Sequence, residues 1–531
     1  MDFLFIKRYK QITIIIQMNE TTNNKNTDLI YFASNGDLKN TLRLLNQGAD
    51  IDYPDNLRND TALIWSIING HKDVALALIH HGANVEFQNL HGESPLIWAT
   101  INESVEVFLA LLNKGANPNI ESQGFCTSLT YASMSNNFPI AEILVKLDVN
   151  INHKDHRGNT PLAWSAQGGS IAIVELLVNN GAIINTHNKN KRTPLHLAVQ
   201  MGHVDIIEYL IEKEADLDIQ DNQGMTVLMY AVQNNRIDIV ELLIHHNANI
   251  DLQNIDGGNA LLLSIQYGHK DITKFLIENG ADIEIRNYAN TTPLIWASSK
   301  GYYDIVELLI NKGANMDVKQ DHLGNTALIR AIERNDVSIA RLLIERGANI
   351  HIKNIEGGDA LIWSSGNGLY EIIQLILEKG GDKDVVDNEG NTPLMCAVGR
   401  GFIAIVRLLI DKGANLNIKN SMGHTAIMYA IIANNSEIVK LFINKVMESL
   451  PMEVDYQTPD KNILDFYKQN NINQLIERIN QNPNLVGTIV AKELCKVRDY
   501  VYRTNVMGVI KDTTCLKTDS LNSILSFLGG S

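Results

Sequence analysis

The sequence predicts an all-α solenoid, built from stacked helix-turn-helix units that are each followed by a hairpin-like finger. Three observations predict it. A leucine slot recurs at Leu63, Leu96, Leu129, Leu162, Leu195, Leu228, Leu261, Leu294, Leu328, Leu361, Leu394 and, as isoleucine, Ile427. Every interval is 33 residues except the 34 between Leu294 and Leu328, and a fixed period of this size marks a stacked-repeat architecture. Ahead of the slot stand pairs such as Thr160-Pro161, a hydroxyl at the N-cap and a proline at the first helical position, where its missing N–H is no loss. Units close on Gly-Ala-Asn or Gly-Ala-Asp (Gly48, Gly82, Gly115, Gly313, Gly347, Gly413), with the glycine suited to a left-handed position just past a helix.

Each element follows in order. The first helix runs about two turns and ends near a glycine seven residues after the slot, as at Gly70, Gly169, Gly202 and Gly301. The second carries apolar pairs at helical spacing, such as Ile305-Val306 with Leu308-Leu309-Ile310. A stretch rich in Asn, Asp and Gly then forms the finger. The most regular unit reads Thr193-Pro194-Leu195-His196-Leu197-Ala198. This core and its period resemble the ankyrin repeat over most of the chain. The resemblance implies an elongated, curved array whose concave groove and finger tips bind protein partners. With neighbouring helices about 8–10 Å apart, the stack would be on the order of 130 Å long.

The organisation read from the sequence is a flexible extension over 1–27, an array over 28–482 and a helical cap or tail over 483–531. The array's repeats lie near 28–54, 58–87, 91–120, 124–153, 157–186, 190–219, 223–252, 256–285, 289–318, 323–352, 356–385, 389–418, 422–450 and 459–482. Met1–Gln17 is interrupted by Lys7, Arg8 and Lys10, too short and too broken for a membrane span, and its charge order is wrong for a signal peptide. Met18 is the expected true start. Leu29–Asp50 reads as a first unit without its own finger, and Leu464–Ile479 as a last helix pair after an irregular linker. A three-repeat block looks duplicated, since Asn254–Leu261 returns as Asn354–Leu361; there Asn259 and Asp359 stand in for the capping threonine. In the tail, Val490–Arg503 and Leu521–Leu528 read as helices, too small a segment for an independent enzyme domain. The alternative to a cap is that SLNSILSFL, which is similar to the short helix opening an F-box-like module but lacks its proline, recruits host ubiquitin-ligation machinery.

A formal net charge of −15 argues against a general nucleic-acid binder. Cys126, Cys396, Cys495 and Cys515 form no CxxC pair, so neither a disulfide framework nor a zinc site is indicated, and a reducing, cytoplasmic setting is expected. No phosphate-binding loop, zinc-protease helix, nucleophile elbow or kinase signature occurs. The reading is therefore a monomeric, non-catalytic scaffold for protein partners, with no cofactor, no metal and no membrane insertion. Abundant Asn, Ile and Lys suit an AT-rich genome, such as that of an intracellular bacterium or large virus, which leaves delivery into a host cell open.

Function in such an array belongs where units differ. Two residues past the slot stand Tyr31, Trp65, Trp98, Tyr131 and Trp164, and all five tryptophans of the chain fall in this register. The rings either wedge between units or form a partner-binding ladder; partial burial with exposed edges is expected, because a fully exposed set would exceed what soluble monomers tolerate. The Leu195 unit, with Leu197 in place of a ring, is expected to say least about the partner. A second candidate is a basic patch on consecutive fingers, Lys154 and Arg157 followed by Lys189, Lys191 and Arg192, which suits an acidic protein surface or a phosphate group. His153, His156 and His187 lie on the same fingers without carboxylate support for a metal.

Overall fold

The computed structural model describes residues 24–147, 149–433 and 435–448, and among them every regular element is helical. The chain divides into two compact units, one up to Ile272 and one from Thr273. In the first, helix pairs run from Lys25–Ser34 with Leu38–Asn46 to Val227–Gln233 with Ile237–His245, then Ala260–Tyr267. In the second they run from Pro293–Lys300 with Tyr303–Asn311 to Ala426–Ile432 with Ser436–Glu448.

The local rules work as the sequence suggests. Thr160 Oγ1 accepts the N–H of Ala163 at 3.2 Å. The substitutes cap as well: Asn259 Oδ1 accepts from Leu262 at 3.0 Å, and Asp359 Oδ1 accepts from Leu361 and Ile362, both at 3.0 Å. Seven residues past the slot the backbone is left-handed, with φ of 78° at Gly169 and 80° at Gly202. Where glycine is missing there, Asn136, Asn235 and Asn335 adopt the same conformation, which asparagine tolerates better than other side chains.

Every slot residue is at most 1% exposed, so the slot is the core. Each buried leucine contributes about 1.5–3 kcal/mol relative to an exposed one. The second helices complete the core with fully buried side chains such as Ile173, Val174 and Leu177.

Repeats are also tied by polar bonds to the last carbonyls of the preceding first helix, groups a helix cannot satisfy itself. Asn69 donates to Ser34 O at 2.7 Å, Asn102 to Ile67 O and, at 2.9 Å, Ile68 O, and Asn367 to Ile332 O at 3.0 Å. Two residues further on, His71 reaches Ser34 O at 3.0 Å and His203 reaches Gln167 O at 3.1 Å. Each finger is a turn closed on itself, as by Asp155 N to Asn159 O at 3.0 Å. Consecutive fingers share a backbone bond, such as Lys189 N to Arg157 O at 2.9 Å or Asn388 N to Glu356 O at 3.0 Å. The 34-residue interval from Leu294 to Leu328 is absorbed here: the closing bond from Gln320 N reaches Asn325 O, one residue further than usual, as Asp55 N reaches Asp60 O between Leu29 and Leu63.

The first helix begins at Lys25, its N-terminus capped by Asn24. The upstream stretch to Gln17, the proposed start at Met18, the helix pair at 464–479 and the tail at 483–531 lie outside the described residues.

Candidate interaction site beside Trp164

The aromatic register is organised by a second register that periodicity alone does not reveal. Seven or eight residues before the slot, each finger carries Asp, Asn, Ser or Gln. At Asp55, Asp155 and Asp221 one carboxylate oxygen holds the finger turn and the other holds the ring, while at Asp387, whose repeat carries Cys396 in place of a ring, the second oxygen accepts from Asn391 Nδ2 at 3.2 Å. Asp155 Oδ1 accepts from the backbone of Arg157 and Asn159, each at 2.8 Å, while Oδ2 accepts the indole N–H of Trp164 at 2.9 Å. Asp55 binds Trp65 Nε1 at 2.7 Å in the same way, and Asp221 binds the Tyr230 hydroxyl at 2.7 Å. Where it is asparagine, the amide turns to the previous repeat, as Asn188 Nδ2 does to Asn159 Oδ1 at 2.9 Å.

This arrangement separates the five predicted ring residues. Trp65 and Trp98 are 4% and 3% exposed, so they are wedged between repeats, and the exposed edges expected of them are not there. The aspartate bond does not account for this, since Trp164 makes the same one; the next register position differs, being Trp98 after Trp65 but Leu197 after Trp164, and the Arg58 guanidinium lies 5.7 Å from the centre of Trp98. Tyr131 and Trp164 are half-buried, and Tyr31, at 47%, is open.

Trp164 meets the basic fingers. It lines a cavity of about 910 Å³, together with Arg157, Lys189, Arg192 and Leu197. Four of the ten predicted residues thus converge on one place. Lys154, whose ammonium caps His187 O at 3.0 Å, and the exposed Lys191 stay outside its walls. The cavity opens where the register carries Leu197 between Trp164 and Tyr230, since the shorter side chain leaves room a ring would fill. The Leu195 unit, expected to say least about the partner, contributes Leu197, Gln200 and Met201 to the lining.

The lining has a consistent character. Trp164, Leu197, Met134 and Met201 supply apolar surface, and Asn, Gln and His side chains supply hydrogen bonds. No Asp or Glu is among the lining residues, on a chain of net charge −15. Arg192 is fixed from behind by Asp221 at 3.2 Å and lies 5.2 Å from the Tyr230 ring centre. Burial pushes the Asp221 carboxyl up, but the Tyr230 hydroxyl, the N–H groups of Met225 and Gln223, and Arg192 together hold it below the usual carboxylate range. It therefore stays charged and keeps Arg192 in place. Gln200 and Met201 were missed by sequence reasoning; their distance from the slot, five and six residues, was the available signal.

The three finger histidines do not converge. His153 Nε2 donates to Phe125 O at 2.8 Å, His156 Nδ1 to Gly124 O at 3.1 Å, and His187 Nδ1 to Asn188 O at 3.1 Å. Among the described residues no three metal-ligating side chains gather, and no helix is long and apolar enough to cross a membrane.

A search of curated proteins returns no match. A family model described as ankyrin repeats (three copies) matches nine overlapping stretches of the chain, from 9–89 through 129–221 and 228–320 to 361–451. With the helix pairs, caps and finger turns already described, the chain belongs to the ankyrin-repeat family.

Proposed function

We propose that the chain is a non-catalytic, monomeric scaffold that binds a partner protein, and that the Trp164 cavity takes an acidic segment of it. Ankyrin repeats are general protein-protein interaction modules. One observation carries the finer reading: a 910 Å³ cavity with cationic walls, an apolar floor and no acidic lining residue. Arg157 and Lys189 are exposed at its edge, where they attract carboxylates over a distance set by salt. Trp164 and Leu197 offer an apolar residue of the same segment a place to bury. The framework is pinned by hydrogen bonds before the ligand arrives, so little ordering cost falls on this side.

The test is selection from random displayed peptides by the full chain and by an Arg157→Glu/Lys189→Glu variant. The native chain is expected to enrich sequences with Asp and Glu flanking an apolar residue, and the variant to lose them. Equal enrichment by both would overturn the reading. A second reading, in which the chain is an adaptor, rests on the Leu521–Leu528 sequence alone. Deleting 483–531 would then remove a second partner and leave peptide selection intact.

A further inference from the structure

A second cavity, of about 370 Å³, lies in the unit from Thr273, between the helices Ala360–Asn367 and Pro393–Arg400 and beside Ala426–Ile432. Its position in the aromatic register explains it. Successive first helices there carry Trp363, Cys396 and Tyr429, so the central ring is replaced by the smallest side chain the register contains. Trp363, Cys396 and Tyr429 all line the resulting space, with Glu356, Asp387 and Arg400 also in its wall.

Two glycines enlarge it. Five residues past the slot, other repeats carry Ile68, Ile101, Met134, Gln167, Gln200, Gln233, Gln266, Ser299, Glu333 and Ile432, whereas these two consecutive repeats carry Gly366 and Gly399. Both lie inside helices without positive φ, and a Cβ added at either would meet nothing within 4 Å. Neither the backbone nor packing calls for glycine, and in a helix it costs about 0.5–1 kcal/mol relative to alanine. What the glycines do is keep the cavity open.

Trp363 is also held differently from Trp65 and Trp164. The preceding finger carries Asn354, whose Oδ1 accepts from Glu356 and Gly358 and whose Nδ2 donates to Asn325 at 3.0 Å. No acceptor remains for the indole, whose N–H is buried against Gly358 without a hydrogen-bond partner among the described residues. The ring is positioned by packing.

We infer that this cavity receives an aromatic side chain of a partner protein, which takes the place of the ring missing at Cys396 between Trp363 and Tyr429. A cavity of roughly 150 Å³ already suffices for benzene, so about 370 Å³ leaves room for an indole. Ring pairs gain about 0.5–1.5 kcal/mol beyond burial, and Trp363 and Tyr429 are the rings the cavity wall presents. The Cys396 thiol, pushed up to about 12 by burial and by the Asp387 charge, stays neutral and acts as a small apolar floor. The choice of a protein over a free metabolite rests on the partner-binding reading above.

The experiment uses the full chain with N-acetyl-L-tryptophanamide, free tryptophan and N-acetyl-L-alaninamide as probes. Binding is read by saturation-transfer NMR, and the site by the Gly399→Leu variant. The tryptophanamide is expected to receive saturation at its ring protons, while the alaninamide is not. Gly399→Leu, which fills open space on a helix, is expected to abolish the saturation without lowering Tm. The Arg157→Glu/Lys189→Glu variant should leave it unchanged, so failure of the acidic-segment reading is told apart from failure here. Absent saturation, or saturation that survives Gly399→Leu, would overturn the inference. Binding of free tryptophan in preference to the amide would overturn the assignment to a protein partner.

Discussion

The indole N–H of Trp164 donates to Asp155 Oδ2 at 2.9 Å, from the first helix of a repeat to the finger nine residues earlier. The same carboxylate closes the finger turn, so ring orientation and finger conformation are coupled through one side chain. Replacing Asp155 with alanine strands buried donors, and a loss on the order of 1–3 kcal/mol is expected in urea unfolding. In a Trp164→Phe background the penalty should shrink, because one of the donors is gone; an unchanged penalty in that double-mutant cycle would deny the coupling.

Asp60 is a buried carboxylate where three other repeats place an amide, Asn159, Asn325 and Asn391. Asn89 donates to it at 2.8 Å, while the matching pairs Asn188–Asn159, Asn354–Asn325 and Asn420–Asn391 are amide to amide at 2.9, 3.0 and 2.9 Å. Burial pushes the Asp60 carboxyl up to about 6, with Arg58 and Asn89 opposing the shift. A group raised in the fold stabilises only while protonated, so its contribution is present below 3.8 and lost as pH rises through about 6. Asp60→Asn should therefore raise stability at pH 7 by on the order of 1–2 kcal/mol, less than the roughly 3 kcal/mol of a two-unit shift because Arg58 loses a partner. Melting curves across pH should show the gain disappear below about 4.

His196 gives the opposite sign. It is 1% exposed, bonds Thr193 Oγ1 through Nδ1 at 2.9 Å and donates from Nε2 to Met225 O at 3.2 Å. Burial holds its pKa below the ordinary 6.5. Its contribution is complete above 6.5 and declines as pH falls from there towards the lower folded value. Stability of the native chain should drop on acidification through this window, and His196→Gln should drop less. Parallel pH dependences would contradict it.

Asn102 clamps two carbonyls, those of Ile67 and Ile68, at the end of the preceding first helix. Asn102→Ala should cost on the order of 1–3 kcal/mol. Hydrogen exchange should quicken first in the Ala62–Ile68 helix, ahead of the helix that carries the substitution.

Some of this was legible in the residues and some was not, for physical reasons. The slot, the caps and the left-handed positions depend on a few neighbours along the chain, so Leu195, Thr160 and Gly169 announce themselves. The burial of Trp65 and the openness of Tyr31 depend on what the adjacent repeat and finger supply, which identity at one position does not encode. The basic fingers could be read as charge, yet their meeting with Trp164 required the stack. Both cavities were hardest to foresee, because Leu197 and Cys396 make them by being short where their neighbours are long.

The finger bond has a consequence for how such a chain changes length. Ile255 N binds Gln223 O at 3.1 Å, and Ile355 N binds Leu323 O at 3.0 Å, the same joint at corresponding places in the duplicated block. Because each joint is made by backbone atoms, it accepts any sequence that folds the turn. A recombination event that inserts or removes whole repeats in register restores every joint it cuts. Genes of this kind can therefore gain or lose repeats by unequal exchange and still encode a protein that folds, leaving the side chains at Leu197 or Cys396 to diverge afterwards.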